Sequence, residues 1–186
     1  MGLGSGAIAV SGTTVEAARI AWRLALIGLI ALGIQIALGG WTSSNYAAIA
    51  CPDFPKCQNA WWPQTDYSNA FILWRGLGIN YEGGVLENPA RVAIHLTHRM
   101  GAIIATLTLS LAAISVLTRK VLAKFVLPAW FVLAALALQL TIGISMVLRG
   151  FPLPLATAHT AGAALLLLSV LALLRSVGPV AHGGKL

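Results

Sequence analysis

Acidic side chains are almost missing from this chain. Five Asp and Glu stand among 186 residues against 12 Lys and Arg, and charged residues make up 9% of the total. A water-covered surface needs roughly a quarter of a domain's residues charged, so a soluble globular class is excluded. Cysteine is nearly absent too, with two residues only, Cys51 and Cys57. That count excludes a disulfide-dense scaffold, and two thiols without a nearby histidine cannot close a tetrahedral zinc site. P-loop, GxSxG, HExxH and Rossmann patterns are all lacking, so nothing points to hydrolysis of a soluble substrate. The excess of basic residues forms no patch or stripe with interleaved aromatics, and no nucleic-acid partner is expected.

What the chain has instead is apolar length: 58% of it is hydrophobic. A bilayer core about 30 Å thick is crossed by about 20 helical residues. Four runs reach that length, roughly Leu24 to Trp41, Val92 to Leu117, Phe125 to Leu148 and Leu155 to Leu174. The first starts some twenty residues in, is long, and has no convincing small-residue cleavage site after it, so it is expected to be a span rather than a signal peptide. The expected fold is an all-α integral membrane protein, a four-helix transmembrane bundle with a long loop over residues 42–90. Residues 23–176 form its membrane domain, between an N-terminal segment, 1–22, and a tail, 177–186. Arg19, Arg23, Arg119, Lys120, Lys124, Arg175 and Lys185 crowd the short connections and ends, whereas the long loop mixes Lys56, Arg75 and Arg91 with Asp53, Asp66, Glu82 and Glu87. Basic short segments stay inside, which predicts cytoplasmic termini, an outer loop and an inner (plasma) membrane location. The loop is rich in Trp, Pro, Asn and Gly, as in Trp61-Trp62-Pro63. It suits the wet interface, either as a lid over the bundle mouth or as a solvated segment.

A two-helix unit is used twice. Gln35-Ile36-Ala37-Leu38-Gly39 in the first run matches Gln139-Leu140-Thr141-Ile142-Gly143 in the third. His98-Arg99-Met100-Gly101-Ala102 in the second matches His159-Thr160-Ala161-Gly162-Ala163 in the fourth. Gly and Ala are common in membrane helices, so each match alone is weak, but two in the same order indicate an internal repeat.

Ionisable side chains inside membrane helices mark function by default. His98 lies about 10 Å below Arg91 at 1.5 Å per residue, and His159 sits at a similar depth on the same side, a few residues past Pro154. Helices packed about 8–10 Å apart in an up-down bundle leave a diagonal of about 13 Å, which suits two imidazoles with a haem iron between them. The small residues at i+3 and i+4 leave room for a flat porphyrin on this reading. On the other, they are ordinary packing faces and the histidines bond across helices. Arg99 needs an anion: a haem propionate, or Glu82 or Glu87 reached by snorkelling. Arg149 suits a second propionate or a lipid headgroup. His95, three residues before His98, is placed to orient the ligand, take protons or line the site mouth, or is a plain interfacial histidine. Cys51 and Cys57 close a small ring that an oxidising outer compartment favours as a disulfide.

Taken together, Leu38-Gly39-Gly40-Trp41, Asn45-Tyr46-Ala47-Ala48, the run Cys51-Pro52-Asp53-Phe54-Pro55-Lys56-Cys57, Trp61-Trp62-Pro63 and Ile94-His95-Leu96-Thr97-His98-Arg99 resemble the haem A synthase family, also called the cytochrome oxidase assembly family. The resemblance spans about residues 20 to 175. It implies one four-helix half of an eight-helix protein that oxidises the haem O ring methyl to the formyl group of haem A, in two hydroxylation steps, for terminal oxidases. It also implies axial haem ligation by His98 and His159 and an outer-loop disulfide between Cys51 and Cys57. The family's substrate half has glutamate where this chain has His95, so the resemblance is closer to the C-terminal, haem B half. Candidate proton-handling groups are then His95, Glu82 and Glu87, or a group from another subunit. The partners implied are membrane lipid, a second four-helix half or another copy of the chain, and the haem O synthase and cytochrome oxidase pathway. A non-enzymatic b-type cytochrome or haem-holding subunit is the alternative, and a channel or transporter built on the repeat is a third.

Overall fold

The computed structural model describes residues 11–74 and 84–182. Five α-helices follow one another: α1 (Gly12–Ser44), the one-turn α2 (Tyr67–Ala70), α3 (Asn88–Leu117), α4 (Val126–Leu148) and α5 (Leu153–Ala181). Short 3-10 segments at Ala48–Ala50 and Lys120–Phe125 complete the regular structure of the described residues. Four helices are long and apolar enough to cross a membrane, of 33, 30, 29 and 29 residues, the third counted from Lys120. Their outward faces carry Ile27, Ile30, Ile34, Ile103, Ile104, Leu107, Trp130, Phe131, Leu165 and Leu168, all exposed. So much exposed aliphatic surface would be a liability in water and is what a lipid-facing helix requires. The protein is an all-α integral membrane protein.

The outer helices run further than hydropathy alone suggests. α1 begins at Gly12 instead of near Leu24, because Ser11 caps it: its Oγ accepts from the Thr14 backbone N–H at 3.3 Å. Ala17, Ala18, Ala21 and Ala25, strong helix formers with buried side chains, carry the helix through the Arg19 and Arg23 region. α5 continues past Leu174 to Ala181, with Pro179 near its end. The segments expected to lie outside the bundle as 1–22 and 177–186 are therefore helical in part. Starts and stops have local causes. Pro89 and Pro154 sit in the first turns of α3 and α5, where the N–H they lack would go unpaired anyway. α1 ends where Tyr46 turns to φ 53° and Ala47 N–H reaches back to Thr42 O at 2.9 Å.

Two compact units divide the described chain. The first takes in Met1–Ala31, Ala105–Ala137 and Ala164–Leu186 as far as they are described. Its interior combines Ala17, Ala21 and Ala25 with Leu109, Val116, Leu122, Val132, Leu166, Val170, Leu173 and Val177. Small residues let backbones approach: a Cβ on Gly28 would come within 2.8 Å of Leu109 Cδ2. His182 meets Trp22 edge-on at 5.0 Å between ring centroids.

The second unit, Leu32–Ile104 with Leu138–Ala163 as far as they are described, holds the described part of the long loop and the described residues singled out above for chemistry. Cys51 and Cys57 form a disulfide. The described loop is packed and not merely solvated. Ala47, Ala70 and Leu86 join Ala90, Ala93 and Ile94 of α3 in one cluster, with Trp41 against it. Ala50 and both cysteines join Val92 in another. Trp41 Nε1 donates to Ala70 O at 3.0 Å, and Asp66 caps α2 through the Ser68 and Asn69 backbone N–H groups. Trp62 and Trp74 stay exposed, as interfacial residues do. With both thiols in one buried bond, an alkylating reagent is expected to label neither cysteine until reductant is added. Mass spectrometry of the denatured, unreduced protein checks this.

Candidate functional site

The repeated motifs interlock, Gln-x-x-x-Gly of one helix against His-x-x-Gly of the next. In the first repeat Gln35 Nε2 donates to the His98 backbone carbonyl at 3.0 Å and lies 3.1 Å from its ring Nδ1. In the second repeat Gln139 Nε2 donates to the His159 carbonyl at 3.1 Å and lies 3.3 Å from its ring Nε2. The glycines are the space these contacts need. A Cβ on Gly39 would lie 3.2 Å from His98 Cε1, and one on Gly143 would lie 2.9 Å from His159 Cε1. At Gly101 and Gly162 a Cβ would collide with the amide oxygens of Gln35 and Gln139. The small residues after each histidine suit either a flat ring or helix packing, and both glycines receive a glutamine side chain from a neighbouring helix.

His98 and His159 are half-buried and belong to the same unit. Both face protein partners on a neighbouring helix, so neither ring is turned out to lipid. His95 is buried, donating Nδ1–H to the Ala47 carbonyl at 3.0 Å, and its ring meets Phe151 edge-on at 6.3 Å. Phe151 holds this place with a left-handed backbone, φ 59°, after Gly150 at φ 70°. A bulky residue rarely adopts that conformation, which marks the turn between α4 and α5 as constrained.

Arg99 has a different partner from those expected. Its guanidinium donates to Lys56 O at 2.8 Å and Asp53 O at 2.7 Å, with Pro55 O and Cys51 O at 3.4 Å, and stacks near Phe54. The charge is met by the carbonyls of the disulfide ring, a fork of donors matched to several acceptors at once. Neither Glu87 nor a propionate is needed to account for its placement. Glu87 is exposed, and its carbonyl accepts from the first N–H groups of α3. Glu82 lies outside the described residues. Arg149 is exposed just past α4 and takes no part in the Gln–His contacts.

Gln35 and Gln139 are the functional candidates that residue chemistry alone passes over, since an amide carries no titration or ligand signal. Their signal was the repeat itself, which places each glutamine in fixed register with a glycine and opposite a histidine.

Asp53 organises the far side of the ring. Its carboxylate accepts from Gln58 N–H at 2.6 Å and Asn59 N–H at 2.9 Å, two residues with left-handed backbones at φ 54° and 61°. Desolvation pulls this carboxyl upward, but those N–H groups of Asn59 and Gln58 and the Arg99 guanidinium outweigh it and hold it below its ordinary 3.8.

Residues 5–171 match the family model described as cytochrome oxidase assembly protein. A protein of Shewanella oneidensis named heme A synthase is 43% identical over 147 residues, covering 79% of this chain and 44% of that one. Another of that name, from Rhizorhabdus wittichii, is 29% identical over 148 residues, covering 80% and 38%. The chain thus spans less than half the length of these relatives. No solved structure matches.

Two outcomes follow from this geometry. Gly101→Ala or Gly162→Ala is expected to cost about 1–3 kcal/mol by overpacking against the glutamine, as thermal or denaturant unfolding in detergent would measure. Because the Asp53 carboxyl is depressed in the folded protein, its contribution is complete above 3.8 and lost as pH falls through the lower folded value. The Gln58 and Asn59 amide resonances are expected to titrate together with a midpoint below 3.8, and to stop doing so in Asp53→Asn.

Proposed function

The chain belongs to the cytochrome oxidase assembly protein family, and we propose that it works in haem A synthesis as a haem B-holding four-helix half with His98 and His159 as the axial ligands. The carrying observation is the duplicated Gln–His–Gly interlock, which presents one imidazole from each two-helix repeat within a single unit. Among the described residues no three His, Cys, Asp or Glu side chains gather to hold a bare metal ion. An iron held by two imidazoles must then bring its own equatorial nitrogens, as a porphyrin does. The donor set therefore fits haem: two imidazoles, half-buried among apolar helices. Bound there, haem supplies one-electron chemistry to the oxidation of the haem O ring methyl to a formyl group.

His95 supports the haem-holding role over a substrate-binding one. The family resemblance leads us to expect a carboxylate at this position in the substrate half. Here the side chain is an imidazole committed to the Ala47 carbonyl. The substrate site is then supplied by a second four-helix half or another copy of the chain, next to haem O synthase in the same pathway. Arg119, Lys120 and Lys124 support cytoplasmic termini in the plasma membrane, with the disulfide-bearing loop outside.

Purified protein is expected to show a six-coordinate, low-spin b-type spectrum. His98→Ala and His159→Ala should each abolish it, and unchanged spectra would remove the ligand assignment. Pigment extracted from cells that also make haem O is expected to contain formyl haem only when a second half is co-expressed. Formyl haem from this chain alone would overturn the haem-holding role in favour of independent synthesis.

A further inference from the structure

Among the described residues, three side-chain atoms are buried with no hydrogen-bond partner: Gln35 Oε1, Gln139 Oε1 and His159 Nδ1. All three belong to the two Gln–His pairs. An unpaired buried polar atom is costly, more so in a membrane, and calls for an explanation.

The second repeat supplies one. A backbone carbonyl only accepts, so the Gln139 atom facing His159 O is the amide nitrogen, and the orientation of the amide is not open to a flip. The same nitrogen faces His159 Nε2, which must therefore carry the lone pair. The ring proton then sits on Nδ1, the atom without a partner. The pair thus contains an unpaired donor, Nδ1–H, and an unpaired acceptor, Gln139 Oε1. The first repeat shares only part of the layout: the Gln35 amide nitrogen faces His98 O and Oε1 is again unpaired over Gly101, but the nitrogen lies closest to the His98 ring at Nδ1, 3.1 Å, with Nε2 at 3.4 Å.

An imidazole that ligates a metal almost always donates its other N–H to an acceptor, which sets the tautomer and strengthens the ligand. We propose that Gln139 is a positioning residue for His159. The Gln139 amide N–H holds His159 in the Nδ1–H tautomer and leaves Nε2 with the lone pair that a metal would take. With Nε2 given to iron, Gln139 Oε1 would be the acceptor for Nδ1–H. Gly162 is the notch that receives the Gln139 amide oxygen. This inference rests on the haem-ligand reading above.

Gln139→Leu and Gln139→Glu separate the proposed role from packing. Both lose the amide N–H that meets the His159 carbonyl, but only the glutamate keeps an acceptor. Haem titration of the full-length protein is expected to show about 10- to 100-fold weaker binding for Gln139→Leu with a raised midpoint potential. Gln139→Glu is expected to retain affinity and lower the potential, since a stronger acceptor makes the imidazole a stronger donor. In haem-free protein, histidine-selective ¹⁵N spectra are expected to show the Nδ1–H form of His159 in the wild type and a mixture in Gln139→Leu. Identical behaviour of the two variants, or an Nε2–H form in the unloaded wild type, overturns the inference. If His159→Ala loses the low-spin spectrum while both Gln139 variants match the wild type, the glutamine role fails and the ligand assignment stands. If the wild type takes up no haem, both fall together.

Discussion

A guanidinium carried on an apolar helix has to be met by something other than water, and much of the loop-bearing unit is arranged around meeting it. Arg99 spends its donors on carbonyls of one small ring, and that ring is closed by Cys51 and Cys57. Asp53 braces the ring from within by holding two left-handed residues, and buried Ala50, Cys51 and Cys57 dock it on Val92. Charge, disulfide and apolar contact therefore act on one segment. Without the ring, Arg99 would be left among apolar side chains with too few acceptors, at a cost of several kcal/mol if buried. The ring's position thereby also fixes the register of the loop over α3, including the Ala47 carbonyl that His95 uses.

Below the ring the governing constraint changes from charge to space. Gln35 and Gln139 each cross to a neighbouring helix and reach a backbone carbonyl already engaged in its own helix. They can do so only because glycine stands at 101 and 162. Such crossings are the polar glue that membrane helices use in the absence of a hydrophobic driving force between them. The internal repeat is visible here as physics and not only as spelling, since the same three residue types at four matched positions make the same glutamine-to-carbonyl contact twice.

Much of the fold was legible because hydropathy over about 20 residues is a strong signal. The spans, the loop and the disulfide pair could all be named from Leu-, Ile- and Val-rich runs and two cysteines. Helix ends were less legible. Ser11 caps α1 through a single hydroxyl, and alanines extend it beyond the apolar window, so length was underestimated at both ends of the chain. Of the site, His98 and His159 stood out as ionisable groups in lipid. Arg99 stood out too, but its partners did not, because backbone carbonyls have no residue type to read. The glycines were legible as small, but not the side chain each receives. Porphyrin clearance and a glutamine notch demand the same residue, and only the partner helix tells them apart. His95 was ambiguous for a similar reason, its hydrogen bond being to the main chain of Ala47.

The duplication has a consequence for biosynthesis. Each hairpin-like repeat carries its own glutamine, its own pair of glycines and one imidazole, and the two imidazoles lie 61 residues apart, at 98 and 159. During synthesis the first ring enters the membrane well before the second is translated. Any group that needs both could be retained only once α5 has been inserted, so occupancy would report that both repeats are in place, and a chain truncated before α5 would have half a grip and nothing to hold.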